Sequence, residues 1–408
     1  MISNKSGIFF STRDGGNPNK FAYLELMPTR VGGKPTHRLM VTFKTIGCSH
    51  GKCTHCELGE NSFANITEKN LEKQMDSVLE ELNRRNIPLE SIGLVDLLTN
   101  GSFLDDKEVP SKVRGAIVRK AAESFKFAKK FVIDTRPEFV MGELVRPLVQ
   151  ELQKHGKKLE VSLGIDTTGW LNRKIVNKGY GFRALEKAFR TLTDCGADRM
   201  GYVLVKTPGQ NEFEAIHTAV AAANKILSIG NRMDPKNPHG TTVSLEPIFV
   251  GKRTPLFKLF EEGRYSPAHL FSVADAVKRI KHRHPHNDVI IGLSSEGIAS
   301  NLDREAHNRV GNEIDYASTR RARRNLTEFN STQDLSLLDK ILNENSASNR
   351  FWKNSIAKES IAARMKHFAA KLRILKDVRK YQSREKQFEH AQAGSRACTR
   401  NGAAAHAH

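Results

Sequence analysis

The feature that most constrains the fold is an alternation running from about Leu39 to Leu293, in which short apolar, β-branched runs are separated by amphipathic stretches long enough for a helix. The strand candidates are residues 38–45, 91–98, 129–135, 159–165, 199–206 and 241–250, with a seventh at 288–293. Connections of that length suit parallel pairing, because the chain must cross back over the sheet before the next strand begins. Two connections carry their own helix signals. Thr67 stands as an N-cap before a stretch that sets Leu71, Met75, Val78, Leu79 and Leu82 on one face, and "RALEKAFRTLTDCG" ends on Gly196, suited to a C-cap. Six such units predict an α/β chain built as a partial or full βα barrel, with its functional groups at the carboxyl ends of the strands.

Beyond Ser294 the alternation fades into short helices, and residues 349–408 carry 14 Lys and Arg against 4 Asp and Glu. The expected organisation is an N-terminal extension over 1–37, a barrel over 38–293, a helical segment on the substrate side over 294–345, and a basic helical extension over 346–408 ending in a disordered tail. In that extension Ile361, Met365, Phe368, Leu372 and Leu375 form an apolar stripe expected to pack on the barrel, leaving the basic face to solvent or, in a sharper reading, to RNA. The formal charge of +20 and pI near 9.8 ask for a polyanionic partner such as RNA or DNA, or else for a solvated basic tail. No apolar run reaches the roughly 18 residues of a membrane span, and the start lacks the apolar core of a secretory signal. A cytoplasmic protein with no membrane partner is expected.

Three of the five cysteines lie within "TIGCSHGKCTHCELG", spaced Cys48-x4-Cys53-x2-Cys56, directly after the first strand. An odd, clustered set is not a disulfide framework. Clustered thiolates suit zinc, with His50 or His55 as the fourth ligand, or an iron-sulfur cluster, which three cysteines leave with one open iron. Cys195 reads as a small buried apolar residue and Cys398 as incidental. The position at the rim of a barrel favours iron; a zinc-knuckle RNA-binding protein without catalysis stays open as the alternative.

A three-cysteine loop after the first strand of a βα barrel resembles the radical S-adenosylmethionine (radical SAM) superfamily. The usual spacing there is Cys-x3-Cys-x2-Cys, so this chain departs by one residue. The resemblance implies a partial (β/α)6 TIM-like barrel of the radical SAM type in which Cys48, Cys53 and Cys56 hold a 4Fe-4S cluster and the open iron chelates SAM. His55 takes the position of the residue that lies against the SAM adenine. After the second strand Asn100, Gly101 and Ser102 occupy the place of the glycine-rich segment that receives the SAM ammonium. "VIDTRPEFV" is similar to a segment of the Elongator-like group and brings Asp134 and Arg136 to the rim, Arg136 to bind the SAM carboxylate or to lock its own loop. Asp166, with Thr167 beside it, falls where the family binds the ribose hydroxyls, Lys206 where a cation meets the methionine carboxylate, and Glu246 near the substrate.

Within the superfamily the cysteine loop, "NGSFLDDKEVP", "RPEFV", "LVKTP", "GRYSPAHLFSV" and "FNSTQDL" resemble the radical SAM subunit of archaeosine synthase and its relatives, over about residues 40–335. The segment "GLSSEGIASNLDREAH" departs from that pattern. The implied activity is reductive cleavage of SAM to methionine and a 5'-deoxyadenosyl radical, which abstracts hydrogen from a substrate. The implied substrate is a modified, deazaguanine-type tRNA base, with a peptide or small metabolite as the alternative, and the implied partner is a one-electron reductant of flavodoxin or ferredoxin type.

Overall fold

In the computed structural model, which describes residues 10–58, 62–294, 302–357, 365 and 367–382, nine strands form one sheet in chain order. They are β1 (Phe10–Arg13), β2 (Tyr23–Val31), β3 (Lys34–Thr42), β4 (Ile92–Leu98), β5 (Lys130–Thr135), β6 (Lys158–Asp166), β7 (Asp198–Val205), β8 (Thr241–Pro247) and β9 (Val289–Ile291). The pairs β1–β2 and β2–β3 are antiparallel, and every pair from β3 to β9 is parallel. All the strands expected from the alternation are present, and the α/β partial barrel is the architecture observed. Residues 10–31, read from sequence as part of an extension, supply β1 and β2 to the sheet.

Helices fill the crossovers: α1 (Glu68–Arg84), α2 (Ser111–Ser124), α3 (Gly142–Lys154), α4 (Trp170–Val176), α5 (Phe182–Cys195), α6 (Glu212–Met233), α7 (Pro255–Glu261) and α8 (Leu270–Arg283). Thr67 caps α1 in a reciprocal capping box with Asn70, and Gly196 ends α5 at φ +78°. Leu71, Met75, Val78 and Leu82 join the main core between helices and sheet. Cys195 is buried there, as expected of a small apolar residue.

After a two-stranded hairpin, β10 (Arg309–Val310) and β11 (Glu313–Ile314), come α9 (Tyr316–Thr332), α10 (Leu335–Leu342) and α11 (Ala347–Ser355). Helix α9 packs on β2 and β9 at the open side of the sheet. A bare edge strand leaves a ladder of unpaired amides and carbonyls. Here the Asn330 side chain takes the Ile291 N–H and donates to its carbonyl, both at 2.9 Å, and Gln333 does the same for Val289 at 3.1 and 2.9 Å. The "FNSTQDL" motif is thus a set of side-chain amides that finishes the edge of β9.

Residues 367–382 are helical and build a second core: Ile374, Leu375 and Val378 pack with Leu171, Ile175 and Val176 of α4 and with Leu256 and Leu259 of α7. The expected stripe is corrected in part. Leu375 is buried, but Met365, Phe368 and Leu372 are exposed. The rotation of the helix is set by polar contacts: Lys371 and His367 reach Glu214 at 2.7 and 2.9 Å, and Asp377 meets Arg264 at 2.7 Å. Ile361 and the tail over 383–408 lie outside the described residues. Among the described residues no helix is long and apolar enough to cross a membrane.

The interior of the barrel is polar. Arg38 of β3 pairs with the fully buried Asp96 of β4, and Lys130 of β5 lies between Glu160 (2.9 Å) and Asp198 (3.3 Å). Removing one partner of a buried pair strands the other in low dielectric. Arg38→Ala should therefore cost about 3–5 kcal/mol in urea unfolding, and Arg38→Met with Asp96→Leu should recover most of it; equal losses in the two variants would show that the pair's charge is not what matters.

Candidate active site

A loop of this composition holds no shape by itself, and the structure ties it to the ends of several strands. Past β3, the Phe43 amide still bonds the Leu98 carbonyl at 2.9 Å. The loop then crosses the rim. Thr54 donates its amide to the Val176 carbonyl at 3.0 Å and its hydroxyl to Ile175, while its own carbonyl accepts from Leu256 of α7 at 3.2 Å. His50 shares a hydrogen bond of 2.7 Å with the Asn177 carbonyl, and the Asn177 side chain donates to the Lys52 carbonyl at 3.0 Å. Glu57 accepts from the Arg253 amide at 3.3 Å. Loops after β6 and β8 thereby grip both flanks of the cysteines.

The floor of the loop comes from the segment after β4. A Cβ on Gly101 would lie 2.5 Å from the Cys48 Cα, so only glycine lets the two backbones approach this closely. Glu108 binds both segments: Thr45 donates its hydroxyl at 2.7 Å and the Ser102 amide donates to the other oxygen. Ser49 adds a bond to Asp105. The segment is tied in turn to β5, with the Thr99 amide on Asp134 Oδ1 at 3.2 Å and the Arg136 amide on Ser102 Oγ at 3.2 Å. Asn100 and Ser102 are buried in this arrangement.

Two non-glycine residues at strand ends take the left-handed conformation, Asp166 at φ +69° and Lys206 at φ +64°. Such backbone is uncommon away from glycine and concentrates at functional sites. A register shift between Gly164 and Asp166 turns the Asp166 side chain towards the cysteine loop, where Lys178 pairs with it at 3.3 Å. Apart from that ion pair to Oδ2, the buried Asp166 Oδ2 meets no hydrogen-bond donor, and His55 Nδ1 has no hydrogen-bond partner, among the described residues. Burial lowers His55 to about 4, so its ring is neutral at pH 7.

Burial pushes the Cys53 thiol up to about 12 and raises Cys56 as well, although Cys56 is exposed by surface area; Lys178 pulls both the other way. Thiols in such a place become thiolates when a metal supplies the compensating charge. Among the described residues no group of three or more His, Cys, Asp or Glu is placed to hold a single metal ion. Three thiols on one loop, with the Asp166–Lys178 pair and the unpaired His55 Nδ1 beside them, are donors of the type that iron-sulfur clusters use.

Not every expected contact lies on this floor. Arg136 is engaged by Glu138, by the Lys178 carbonyl at 3.1 Å and by the Tyr180 ring at 4.8 Å, which is the loop-locking role. Lys206 is turned to α6, bonding Glu212 at 2.6 Å and Ser266 at 3.1 Å. Thr167 is buried next to Asp166. Glu246 sits in the bore, held by Ser244 at 2.5 Å, its carboxyl raised by burial. Lys178 and Glu108 are not among the expected site residues, and nothing local in the sequence marks Glu108.

No family model matches the sequence. The chain is 27% identical to an uncharacterised protein of Methanocaldococcus jannaschii over 306 residues, 74% of this chain and 78% of that one. It is 27% identical to archaeosine synthase subunit beta of Methanosarcina acetivorans over 279 residues (68% and 75%) and 25% identical to that of Thermococcus kodakarensis over 317 residues (76% and 90%). The likeness to archaeosine synthase read from the sequence thus extends over most of both chains. Among solved structures, the archaeal Elp3 of Methanocaldococcus infernus with an N-terminal deletion has a TM-score of 0.39 at 15% identity, covering 54% of this chain and 51% of its own. The FeFe-hydrogenase maturase HydG has a TM-score of 0.43 at 10% identity, covering 85% and 81%. The chain spans about half the length of the Elp3 structure.

Burial raises Glu108 from 4.5 to about 7. The folded state therefore binds its proton more tightly than the unfolded chain, and the stabilisation, complete below pH 4.5, is lost as pH rises to about 7. Glu108→Gln should flatten the fall in unfolding free energy across that window; an unchanged slope would place the titration elsewhere.

Proposed function

We propose that the chain is a radical SAM enzyme. The observation that carries the reading is the mounting of Cys48, Cys53 and Cys56 at the carboxyl rim of a parallel half-barrel, on a loop bound to the segments after β4, β6 and β8. The kinship with archaeosine synthase subunit beta supports it. When bound, a 4Fe-4S cluster supplies the electron that cleaves SAM to methionine and a 5'-deoxyadenosyl radical.

The chain's own part is holding and shielding. The three cysteines give thiolates to three irons. Segment 99–102 presents Asn100, Gly101 and Ser102 to the SAM ammonium, Asp166, held by Lys178, meets the ribose, Thr167 supports it, and neutral His55 lies against the adenine. Lys178, the cation standing at the cysteine loop, replaces Lys206 as the group for the methionine carboxylate; Lys206 and Arg136 position their loops. Glu246 faces the substrate in the bore, where enclosure keeps water from a reactive carbon.

The substrate in this reading is a modified, deazaguanine-type base of tRNA, supported by the named relatives and by the charge of +20. A one-electron carrier supplies the reductant, and a second subunit, implied by the word "subunit" in those names, completes the activity. The location proposed is the cytoplasm.

The test is anaerobic reconstitution with iron, sulfide, SAM and dithionite, with 5'-deoxyadenosine as product. Cys53→Ala should abolish the product; normal formation, or stoichiometric zinc without iron in the native chain, would sink the assignment. Asp166→Ala should weaken SAM binding by about tenfold at unchanged iron content. A parallel loss of iron would make Asp166 structural. Added tRNA should raise the yield and be retained in a salt-sensitive way; no response to tRNA favours a peptide or metabolite.

A further inference from the structure

The end of the bore opposite the cysteines is open. In a closed βα barrel the interior is filled by layers of packed side chains and is no pore. Here a cavity of about 520 Å³ opens at the amino ends of the strands, beside the Gly32–Gly33 turn that joins β2 to β3. That volume lies within the range of small-molecule sites, roughly 300–1,000 Å³. The candidate active site does not use it: none of the three cysteines, His55, Asp166 or Lys178 lines it.

The lining has three parts. At the mouth Lys129, just before β5, and Lys158, the first residue of β6, stand at one height, because the Lys158 amide bonds the Lys129 carbonyl at 3.0 Å. Both are exposed, and neither has an ion-pair partner among the described residues. The other cations of the lining are engaged: Arg30 lies 3.8 Å from Asp288, Arg38 holds Asp96, and Lys130 holds Glu160 and Asp198. The charge left over at the mouth is therefore positive. Further in, Leu94, Val132, Met200 and Ile290 give apolar walls from four strands. At the inner end Asp96, fully buried, gives Oδ2 to Arg38 and keeps Oδ1 without a hydrogen-bond partner among the described residues. A buried acceptor left unpaired costs free energy until a donor reaches it.

We propose that this cavity is a second ligand site, for a free nucleoside monophosphate. The phosphate lies between Lys129 and Lys158, where ammonium groups give it charge-assisted hydrogen bonds. The flat base lies against the apolar walls, and an N–H on its edge donates to Asp96 Oδ1. Each part of the lining then has its complement. Inorganic phosphate would satisfy the two lysines and leave both the walls and Asp96 unmet, and a ligand without an anionic end would leave the lysines unmet. The site is separate from the cysteine rim and requires neither cluster nor SAM.

The experiment titrates GMP into the full chain by calorimetry, with inorganic phosphate, SAM and tRNA as comparisons. GMP should bind at least about tenfold more tightly than phosphate, and saturating SAM should leave its affinity unchanged. Lys129→Glu with Lys158→Glu should weaken GMP by at least about tenfold, whereas the same change of charge elsewhere, Lys376→Glu with Arg379→Glu, should not. Since Asp96 also holds Arg38, the cavity is probed without replacing it: bound GMP should shield Lys129 and Lys158, but not Lys376, from acetylation by acetic anhydride. No binding of GMP overturns the proposal, and so does equal affinity for GMP and phosphate, which marks an adventitious anion only. Equal losses in the two charge variants would reduce the effect to the overall basic charge and overturn it as well. Displacement of GMP by SAM would place the nucleotide at the cysteine rim, and displacement by tRNA would make the mouth part of an RNA surface; either result overturns it. Binding should persist in Cys53→Ala, so failure of the radical reading leaves this test intact.

Discussion

Three thiols on a loop become a site only because the loop is bound to strand ends that the parallel sheet has already placed. The decisive contact is the close seating of Cys48 on Gly101, sealed by Glu108, which holds Thr45 on one side and Ser102 on the other. A larger residue at position 101 cannot be accommodated without moving backbone. From that seat the rest follows: Thr54 finds its partners on α4 and His50 finds Asn177 just past its end, Glu57 finds the loop after β8, and Lys178 comes within reach of Asp166.

The distribution of charge has two layers. The outside is basic, whereas the bore is lined with Asp96, Glu160 and Glu246, with Arg38 and Lys130 paired among them. Cations placed outward serve encounter and partner choice over distances of order a Debye length, and buried pairs inside serve positioning. Lys178 bridges the layers. Burial works against its charge, yet Asp166 outweighs that and keeps the ammonium protonated beside the thiols.

Much of the fold was legible because periodicity is a local signal. The strands from β3 to β9, the Thr67 cap and the Gly196 stop could be read from neighbouring residues alone. What escaped were partnerships across long sequence separations. The amides Asn330 and Gln333 look like any helix end until β9 lies beside them. Of the apolar stripe of the C-terminal helix Leu375 turns inward and Met365, Phe368 and Leu372 do not, since Glu214 and Arg264, more than a hundred residues away, decide the rotation through ion pairs. Lys206 stood at a strand end as expected, but Glu212 draws its ammonium away.

By itself the sequence determined the order of strands from β3 to β9 and the helices between them, the presence of a three-cysteine cluster at the carboxyl rim, and the basic balance, because each depends on residue type and short spacing. Tertiary structure alone decided which cation faces the thiols, which carboxylate pairs with it, and which side of the last helix meets solvent. Those depend on distances between residues that no spacing encodes, and on burial, which sets the charge state of a group only once its neighbours are in place.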